Sequence, residues 1–256
     1  MSGGGGSRPP RFRFPAKLVI LAGMRILAID TALPAVSGCV LDLGAAAPLA
    51  IETIPMERGH AEALLPLVDR LLASTEGGFA SLNRVAATVG PGSFTGIRIG
   101  LAAAQAIARA LKIEAVGVST LAALAAPHFS EPFEGLLVPS VDARHGQVFV
   151  AAYSASGRLV LPPQRMVARQ AVESLRDFIG EQDGLHLVGS GATMLERAAR
   201  GAQIGSAVLD SAVAPDIACV ARLGLLADPR EAPARPLYLK SADVTMAGGA
   251  APPVEA

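Results

Sequence analysis

Apolar and polar positions follow two different periods along this chain. Residues 25–31 form a continuous apolar run that ends in Asp30 and Thr31, and residues 36–42 alternate like the return strand of a hairpin. In residues 60–72, by contrast, leucine and valine recur three and four positions apart. Alternation is typical of half-buried strands, and the longer period is typical of amphipathic helices. The first half of the chain therefore predicts a β-hairpin followed by helices and further strands.

The second half repeats this order in a shorter form. Residues 135–143 and 147–153 predict a second hairpin, and residues 185–188 predict a strand that leads through a glycine turn into another helix. A last helix is predicted over residues 217–227. Two halves that each begin with a hairpin predict a duplicated α/β architecture in two lobes.

Composition sets the expected domain boundaries. Residues 1–23 begin with glycine, proline and arginine without a period, and we expect a disordered extension before a domain that starts at Met24. A change of composition at His128 divides an N-terminal lobe, residues 24–128, from a C-terminal lobe, residues 129–240. Residues 241–256 are rich in glycine, alanine and proline and predict a disordered tail.

Charge and residue usage exclude several classes of function. The chain has 22 basic and 22 acidic residues, a net charge of +0, which argues against a broad non-specific footprint on nucleic acid. Its aromatic content of 4% argues against a base-stacking platform. No apolar run is long enough to span a membrane, and the two distant cysteines have no metal-binding or redox spacing. We therefore expect a cytoplasmic protein that neither enters a membrane nor holds a metal.

The most distinctive stretch is a glycine-rich turn followed by a small-residue helix. Gly90-Pro91-Gly92 predicts a tight turn, because proline fixes its own φ and glycine accepts a positive one. In the helix, Gly96 and Gly100 lie on one side with almost no side chain. Such a side fits close packing on the protein's own sheet and equally fits a helix–helix interface with another subunit. The residues alone leave both alternatives open.

Three stretches together resemble the TsaB family of bacteria. They are residues 26–31, residues 90–100 and residues 141–149, in this order and at this spacing. The resemblance covers about residues 24–240 and implies the α/β fold of actin, sugar kinases and heat-shock ATPases, in two lobes. It also implies a dimerisation subunit of the complex that makes threonylcarbamoyladenosine beside the anticodon of tRNA. In that family the catalytic subunit is the paralogue TsaD, and the ATPase is TsaE.

The resemblance further implies where a partner would bind. TsaB pairs with TsaD through the helix after the Gly-Pro-Gly turn, and we expect the first amphipathic helix to contribute. The expected interface residues are Gly96, Ile97, Gly100, Leu101, Ala103, Ala104, Ile107, His60 and Leu64. Contact with tRNA is expected to be indirect, and the same face could also pair two copies of this chain.

None of the candidate sites predicts chemistry by this chain alone, and no catalytic residue is expected. The catalytic paralogue carries two histidines four positions apart, which can hold a metal, whereas the matching residues 117–125 here contain no histidine. Nucleotide-binding proteins of this fold place a glycine after the acid of the first hairpin. Here Asp30 is followed by Thr31, and Pro34, four positions after Asp30, has no backbone N–H to donate to a phosphate.

Four residues remain candidates for contact with a nucleotide or phosphate: Asp30, Thr31, Gly189 and Gly191. ATP or ADP with magnesium is therefore expected at the level of the complex, not on this chain by itself. The alternative is a stand-alone enzyme of the same fold, either peptidase-like or a phosphotransferase.

Overall fold

Ten strands form two five-stranded sheets in a computed structural model that describes residues 23–180, 183–237 and 239. The first sheet contains β1 (Arg25–Asp30), β2 (Ala35–Asp42), β3 (Ala50–Pro55), β4 (Arg84–Gly90) and β5 (Glu114–Ser119). The second contains β6 (Leu136–Asp142), β7 (Gln147–Ser154), β8 (Leu159–Val167), β9 (Leu185–Val188) and β10 (Ser206–Asp210).

The two sheets have the same topology. The first has the order β3-β2-β1-β4-β5, and the second has the order β8-β7-β6-β9-β10. In each, three antiparallel strands are followed by two strands parallel to the first. The prediction of a duplicated α/β architecture in two lobes is confirmed.

Within the described residues, six α-helices pack around these sheets. They are α1 (His60–Ala73), α2 (Phe94–Leu111), α3 (Thr120–Ala125), α4 (Ala168–Leu175), α5 (Ala192–Gly201) and α6 (Ile217–Leu226). Helices α1 and α2 cover one face of the first sheet, where they bury side chains such as Leu27 and Val40. Helix α6 covers the opposite face, over Ile26 and Leu41. Within the described ranges, no helix combines the length and the apolar character needed to cross a bilayer.

The position of α6 differs from the expected division of the chain into lobes. Residues 129–240 were expected to form the C-terminal lobe, yet α6 packs on β1, β2 and β4 of the first sheet. Its small residue Gly224 allows this approach, because a Cβ there would lie 2.6 Å from the Cβ of Ala86. The guanidinium of Arg84 then donates to the carbonyl oxygens of Gly224, Leu225 and Ala227 over 2.9–3.0 Å. The first lobe is therefore completed by residues that come late in the chain.

The segment after α6 also returns to the first lobe. The Gly117 amide donates to the Ala232 carbonyl over 2.9 Å, and the Leu237 amide donates to the Val89 carbonyl over 2.8 Å. Gln105 of α2 donates to the Ala234 carbonyl over 2.7 Å. The described residues 236, 237 and 239 form no strand. The expected extension, residues 1–23, lies outside the described residues except for Gly23, and the expected tail, residues 241–256, lies entirely outside them.

The two lobes share part of their hydrophobic core. Val141 of β6 and Ala151 of β7 belong to the same buried cluster as Ile29 of β1. Helix α3 links the lobes as well, since Leu121 and Leu124 join that cluster while α3 packs on β6. The two lobes are therefore packed directly against each other through these side chains.

Candidate functional site

A cleft of about 530 Å³ lies between the two lobes. One wall comes from the turn after β1 and the start of α2, and the other comes from the β6–β7 hairpin. The lining residues are Ala32, Leu33, Pro34, Glu57, His60, Gly92, Ser93, Val141, Asp142, Ala143, Arg144, Phe149, Ser190 and Val213. Its walls are thus mixed, with two carboxylates, an arginine, a histidine and several apolar side chains.

Asp30 does not reach this cleft. Its carboxylate is fully buried and accepts hydrogen bonds from the Ala32 amide, over 2.9 Å, and from the Thr88 hydroxyl. Burial raises the pKa of the Asp30 carboxyl, and the hydrogen bond from Thr88 opposes that rise. The Thr31 hydroxyl donates to the Gly96 carbonyl over 2.7 Å. Asp30 thus joins the end of β1 to β4, and Thr31 joins it to α2, so the expectation that they contact phosphate is not supported by their positions.

The second glycine turn is also packed internally. A Cβ at Gly189 would lie 2.2 Å from the Ser140 carbonyl oxygen, and Gly189 has a φ of +89° that disfavours other residues. The Gly191 amide donates to that same carbonyl over 3.3 Å. These two glycines therefore let the turn before α5 pack against β6, and only Ser190 between them lines the cleft.

The residues that are present do not fit a magnesium nucleotide. A phosphate cradle needs free backbone N–H groups, but the Ser93 amide donates to the Ala32 carbonyl over 2.7 Å. Leu33 and Pro34 fill the position where a glycine hairpin would approach a phosphate. Among the described residues, no group of three or more histidine, cysteine or carboxylate side chains is placed to hold a metal ion.

Most of the expected interface residues are buried inside the chain. A Cβ at Gly96 would lie 2.0 Å from the Thr31 carbonyl oxygen, and one at Gly100 would lie 2.6 Å from the Thr31 hydroxyl. The glycine side of α2 is thus occupied by the protein's own β1 strand. The buried members of the expected set are Gly96, Ile97, Gly100, Leu101, Ala104 and Leu64. The glycine side of α2 could have packed on the protein's own sheet or on another subunit. The structure shows the first of these two alternatives.

The remaining members of the set are half-buried. His60 donates from Nε2 to the Leu33 carbonyl over 3.1 Å and lines the cleft, so it lies away from the exposed side of α1. Ala103 and Ile107 lie on α2 at the edge of the core, one helical turn apart. Only these last two belong to a surface that a partner helix could contact.

The exposed side of α2 is a different surface from the expected interface. Ala102, Ala106 and Ala110 recur every four residues and are exposed. Ile99 begins the neighbouring half-buried row, and Leu65 of α1 is 55% exposed. We call Ala102, Ala106 and Ala110, with Ile99, Ala103 and Ile107, the alanine face. Rows four residues apart form the ridges through which helices pack on one another.

Comparisons with known proteins agree on one family. A family model described as TsaD, tRNA N6-adenosine threonylcarbamoyltransferase, matches residues 54–227. The chain is 37% identical over 130 residues to the tRNA threonylcarbamoyladenosine biosynthesis protein TsaB of Escherichia coli, across 51% of this chain and 55% of that protein. It is 33% identical over 140 residues to the Bacillus subtilis protein of the same name, across 51% of this chain and 60% of that protein. The matched region therefore spans little more than half the length of these curated relatives.

Solved structures extend the likeness to nearly the whole fold. YeaZ from Pseudomonas aeruginosa is 27% identical, with a TM-score of 0.63, over 84% of this chain and 100% of that one. A second solved structure is of a Pseudomonas aeruginosa protein with similarity to peptidase YeaZ. It is 24% identical, with a TM-score of 0.66, over 85% of this chain and 100% of that one. This second likeness supports the fold alone. The family model matches more than half of the residues. Together with these relatives and structures, it shows that the chain belongs to the TsaD family of threonylcarbamoyltransferase proteins and, within it, to the TsaB group.

Proposed function

We propose that this chain is a non-catalytic subunit of a complex that makes threonylcarbamoyladenosine in tRNA, and that it acts by binding a TsaD-type catalytic protein. The observation that carries the proposal is the alanine face, an exposed row of small side chains with a half-buried apolar row next to it along α2. Small side chains allow two helices to approach closely, and exposed apolar surface gains free energy when a partner covers it. In this proposal the protein acts in the cytoplasm, and a TsaE-type ATPase joins the larger assembly.

The electrostatics of α2 suit a partner helix. Its 18 residues contain no aspartate or glutamate, and Arg98, Gln105 and Arg109 flank the alanine rows on their exposed side. A partner helix with acidic residues beside a small or apolar stripe would complement this pattern. We therefore place the contact on the alanine face, and not on the buried glycines Gly96 and Gly100.

The enzymatic alternative has no comparable support from the described residues. The cleft offers Glu57, His60 and Asp142, but His60 is held by the Leu33 carbonyl and no serine or cysteine nucleophile adjoins an imidazole there. A peptidase would need such a nucleophile or a metal pair, and a phosphotransferase would need an open phosphate cradle.

Size-exclusion chromatography with light scattering tests the proposal. The full chain, the TsaD protein of the same organism and their mixture would be compared, and we expect a heterodimer peak in the mixture. Ala102→Arg and Ala106→Arg should each remove that peak without lowering the thermal unfolding midpoint, since both positions are exposed. Thr193→Arg, at an exposed position on α5 in the other lobe, is the matched control and should pair normally.

Two outcomes would contradict the proposal in different ways. A heterodimer that persists in both alanine variants would place the contact elsewhere on the chain. A wild-type mixture that shows no association would remove the proposed function itself.

A further inference from the structure

Two buried side chains in the first sheet carry polar atoms without a partner. Asp30 ends β1 and Ser37 lies in β2, and both residues are fully buried. Within the part of the chain that the structure describes, neither Asp30 Oδ2 nor Ser37 Oγ makes a hydrogen bond. Buried polar atoms of folded proteins are almost always hydrogen-bonded, so both atoms need an explanation.

Asp30 and Ser37 lie directly opposite each other in the antiparallel β1–β2 ladder. Side chains at such positions share one face of the sheet, and their Cβ atoms are about 4.5–5.5 Å apart. This face is the one that α6 covers, because the alternate residues Ala28 and Cys39 belong to the buried cluster around α6. The two unpaired oxygens therefore lie in the same buried layer, near each other but not hydrogen-bonded to each other.

The two oxygens of the Asp30 carboxyl have different surroundings. Oδ1 accepts hydrogen bonds from the Ala32 amide and the Thr88 hydroxyl, whereas Oδ2 has no partner among the described residues. Burial raises the pKa of Asp30 and so favours the protonated carboxyl, whose proton belongs on Oδ2 because Oδ1 already accepts two donors. A protonated Oδ2 needs an acceptor, and an ionised Oδ2 needs a donor.

Water is the ligand that suits both groups. A water molecule donates and accepts, so it can satisfy Asp30 Oδ2 in either protonation state and Ser37 Oγ at the same time. Polar groups that lie just beyond hydrogen-bond distance of each other are commonly bridged in this way. A metal ion fits less well, since among the described residues no group of three or more histidine, cysteine or carboxylate side chains is placed to hold one.

We propose that one ordered water molecule is bound between Asp30 Oδ2 and Ser37 Oγ and links β1 to β2 inside the first lobe. The site goes beyond the proposed function, because it lies in the core and needs no partner protein. Its position gives it a role in shaping the cleft. The Asp30 carboxyl accepts the Ala32 amide, and Ala32 and Leu33 line the cleft, so a water that orients this carboxyl also supports the turn beside the cleft.

A crystal structure of the full chain, at a resolution that shows individual water molecules, tests the proposal directly. We expect a density peak within about 2.5–3.0 Å of both Asp30 Oδ2 and Ser37 Oγ. A direct hydrogen bond between the two side chains, or the absence of any peak between them, would overturn the proposal. So would a peak surrounded by six or more oxygens at about 2.3–2.6 Å, because that arrangement indicates a cation.

Carbon-13 NMR of the Asp30 carboxyl tests the same link in solution. In Ser37→Ala the water loses one of its two anchors and stabilises the charged carboxylate less, so the titration midpoint of Asp30 should move to higher pH. Ser140→Ala is the matched control, because Ser140 is equally buried but its hydroxyl donates to the Val188 carbonyl in the second lobe. His60, which also acts on the Asp30 carboxyl through its charge, is present in both variants.

The control variant should leave the midpoint of Asp30 unchanged. An unchanged midpoint in Ser37→Ala, or equal changes in the two serine variants, would contradict the proposal. Both measurements use the chain without a partner. They can therefore fail while the mixture with TsaD still forms a heterodimer, so failure of this proposal is distinct from failure of the proposed function.

Discussion

Gly96 is both hydrogen-bonded to Thr31 and in close contact with its backbone. The Thr31 hydroxyl donates to the Gly96 carbonyl over 2.7 Å. A Cβ at Gly96 would lie 2.0 Å from the Thr31 carbonyl oxygen. Helix α2 therefore packs on the end of β1 through bare backbone. The obstructing atom belongs to the backbone directly after the central strand β1, and backbone cannot turn aside like a side chain.

Gly96→Ala should therefore lower the free energy of unfolding by about 1–3 kcal/mol, the usual cost of overpacking a core. Urea denaturation followed by circular dichroism would measure the change. The matched control is Gly201→Ala at the end of α5, where a Cβ would meet nothing within 4 Å. That variant should be neutral or more stable by up to about 1 kcal/mol, and equal losses in both would contradict this account of Gly96.

Arg84 should be among the arginines that matter most for stability. Its Nη1 donates to three carbonyl oxygens around the end of α6, and its side chain is buried. Arg84→Ala should lower the free energy of unfolding by about 2–4 kcal/mol, because it leaves buried carbonyl groups without donors. Arg222→Ala, which removes exposed bonds to the carbonyls of Ala45 and Ala46, should change it by less than about 1 kcal/mol.

Hydrogen exchange would show whether Arg84 acts through α6. In Arg84→Ala, amide protection should fall in α6 and in β1 together, while the amides of β6 and β7 keep theirs. A uniform loss of protection across both lobes would contradict a local role.

Asp30 should make stability depend on pH in a defined direction. Because burial raises its pKa in the folded protein, the folded state holds this proton more tightly than the unfolded chain, whose aspartates titrate near about 3.9. The contribution of Asp30 to the free energy of unfolding is therefore greatest below that pH and is lost as the pH rises through the raised pKa.

Asp30→Asn removes this titration and preserves an oxygen that can accept from Thr88 and Ala32. The free energy of unfolding of the variant, relative to the wild type, should increase as the pH rises above about 4. Asp69→Asn, on the exposed side of α1, controls for the change in net charge. A difference between Asp30→Asn and the wild type that stays constant from pH 4 to pH 8 would contradict the prediction.

Magnesium–ATP should give no saturable heat of binding with the isolated chain. The Ser93 amide is already bonded to the Ala32 carbonyl, and Leu33 and Pro34 occupy the approach to it. Isothermal titration calorimetry on the chain, with the TsaD protein titrated separately for comparison, would measure this. Tight binding accompanied by release of phosphate would favour the enzymatic alternative instead.

Local patterns in the sequence predicted much of the first lobe. Strand β1 lies within the apolar run predicted at residues 25–31, and α1 begins at the predicted His60 and ends one residue beyond the predicted end. Pro66 is accommodated in the first two turns of α1 without ending the helix. These elements are predictable because the residues that set each hydrophobic period are neighbours in the sequence.

Elements that depend on distant partners were missed. Strand β8 contains Pro162 and Pro163 and lacks alternation, and its pairing with β7 is what makes it a strand. The strand β10 is short and lies at an edge, parallel to β9. The sequence also could not decide what covers Gly96 and Gly100, because the same small side suits a strand end or a foreign helix.

The return of α6 and residues 232–237 to the first lobe has a consequence for the order of events during synthesis. While residues 23–128 emerge from the ribosome, one face of their sheet, with Ile26 and Leu41, has no cover. That cover is α6, which arrives only after residues 129–216, including all of β6 to β10, have been made. The first lobe is thus synthesised first but completes its folding last. A nascent chain stopped before Ile217 would leave this face of the sheet accessible to chaperones and proteases.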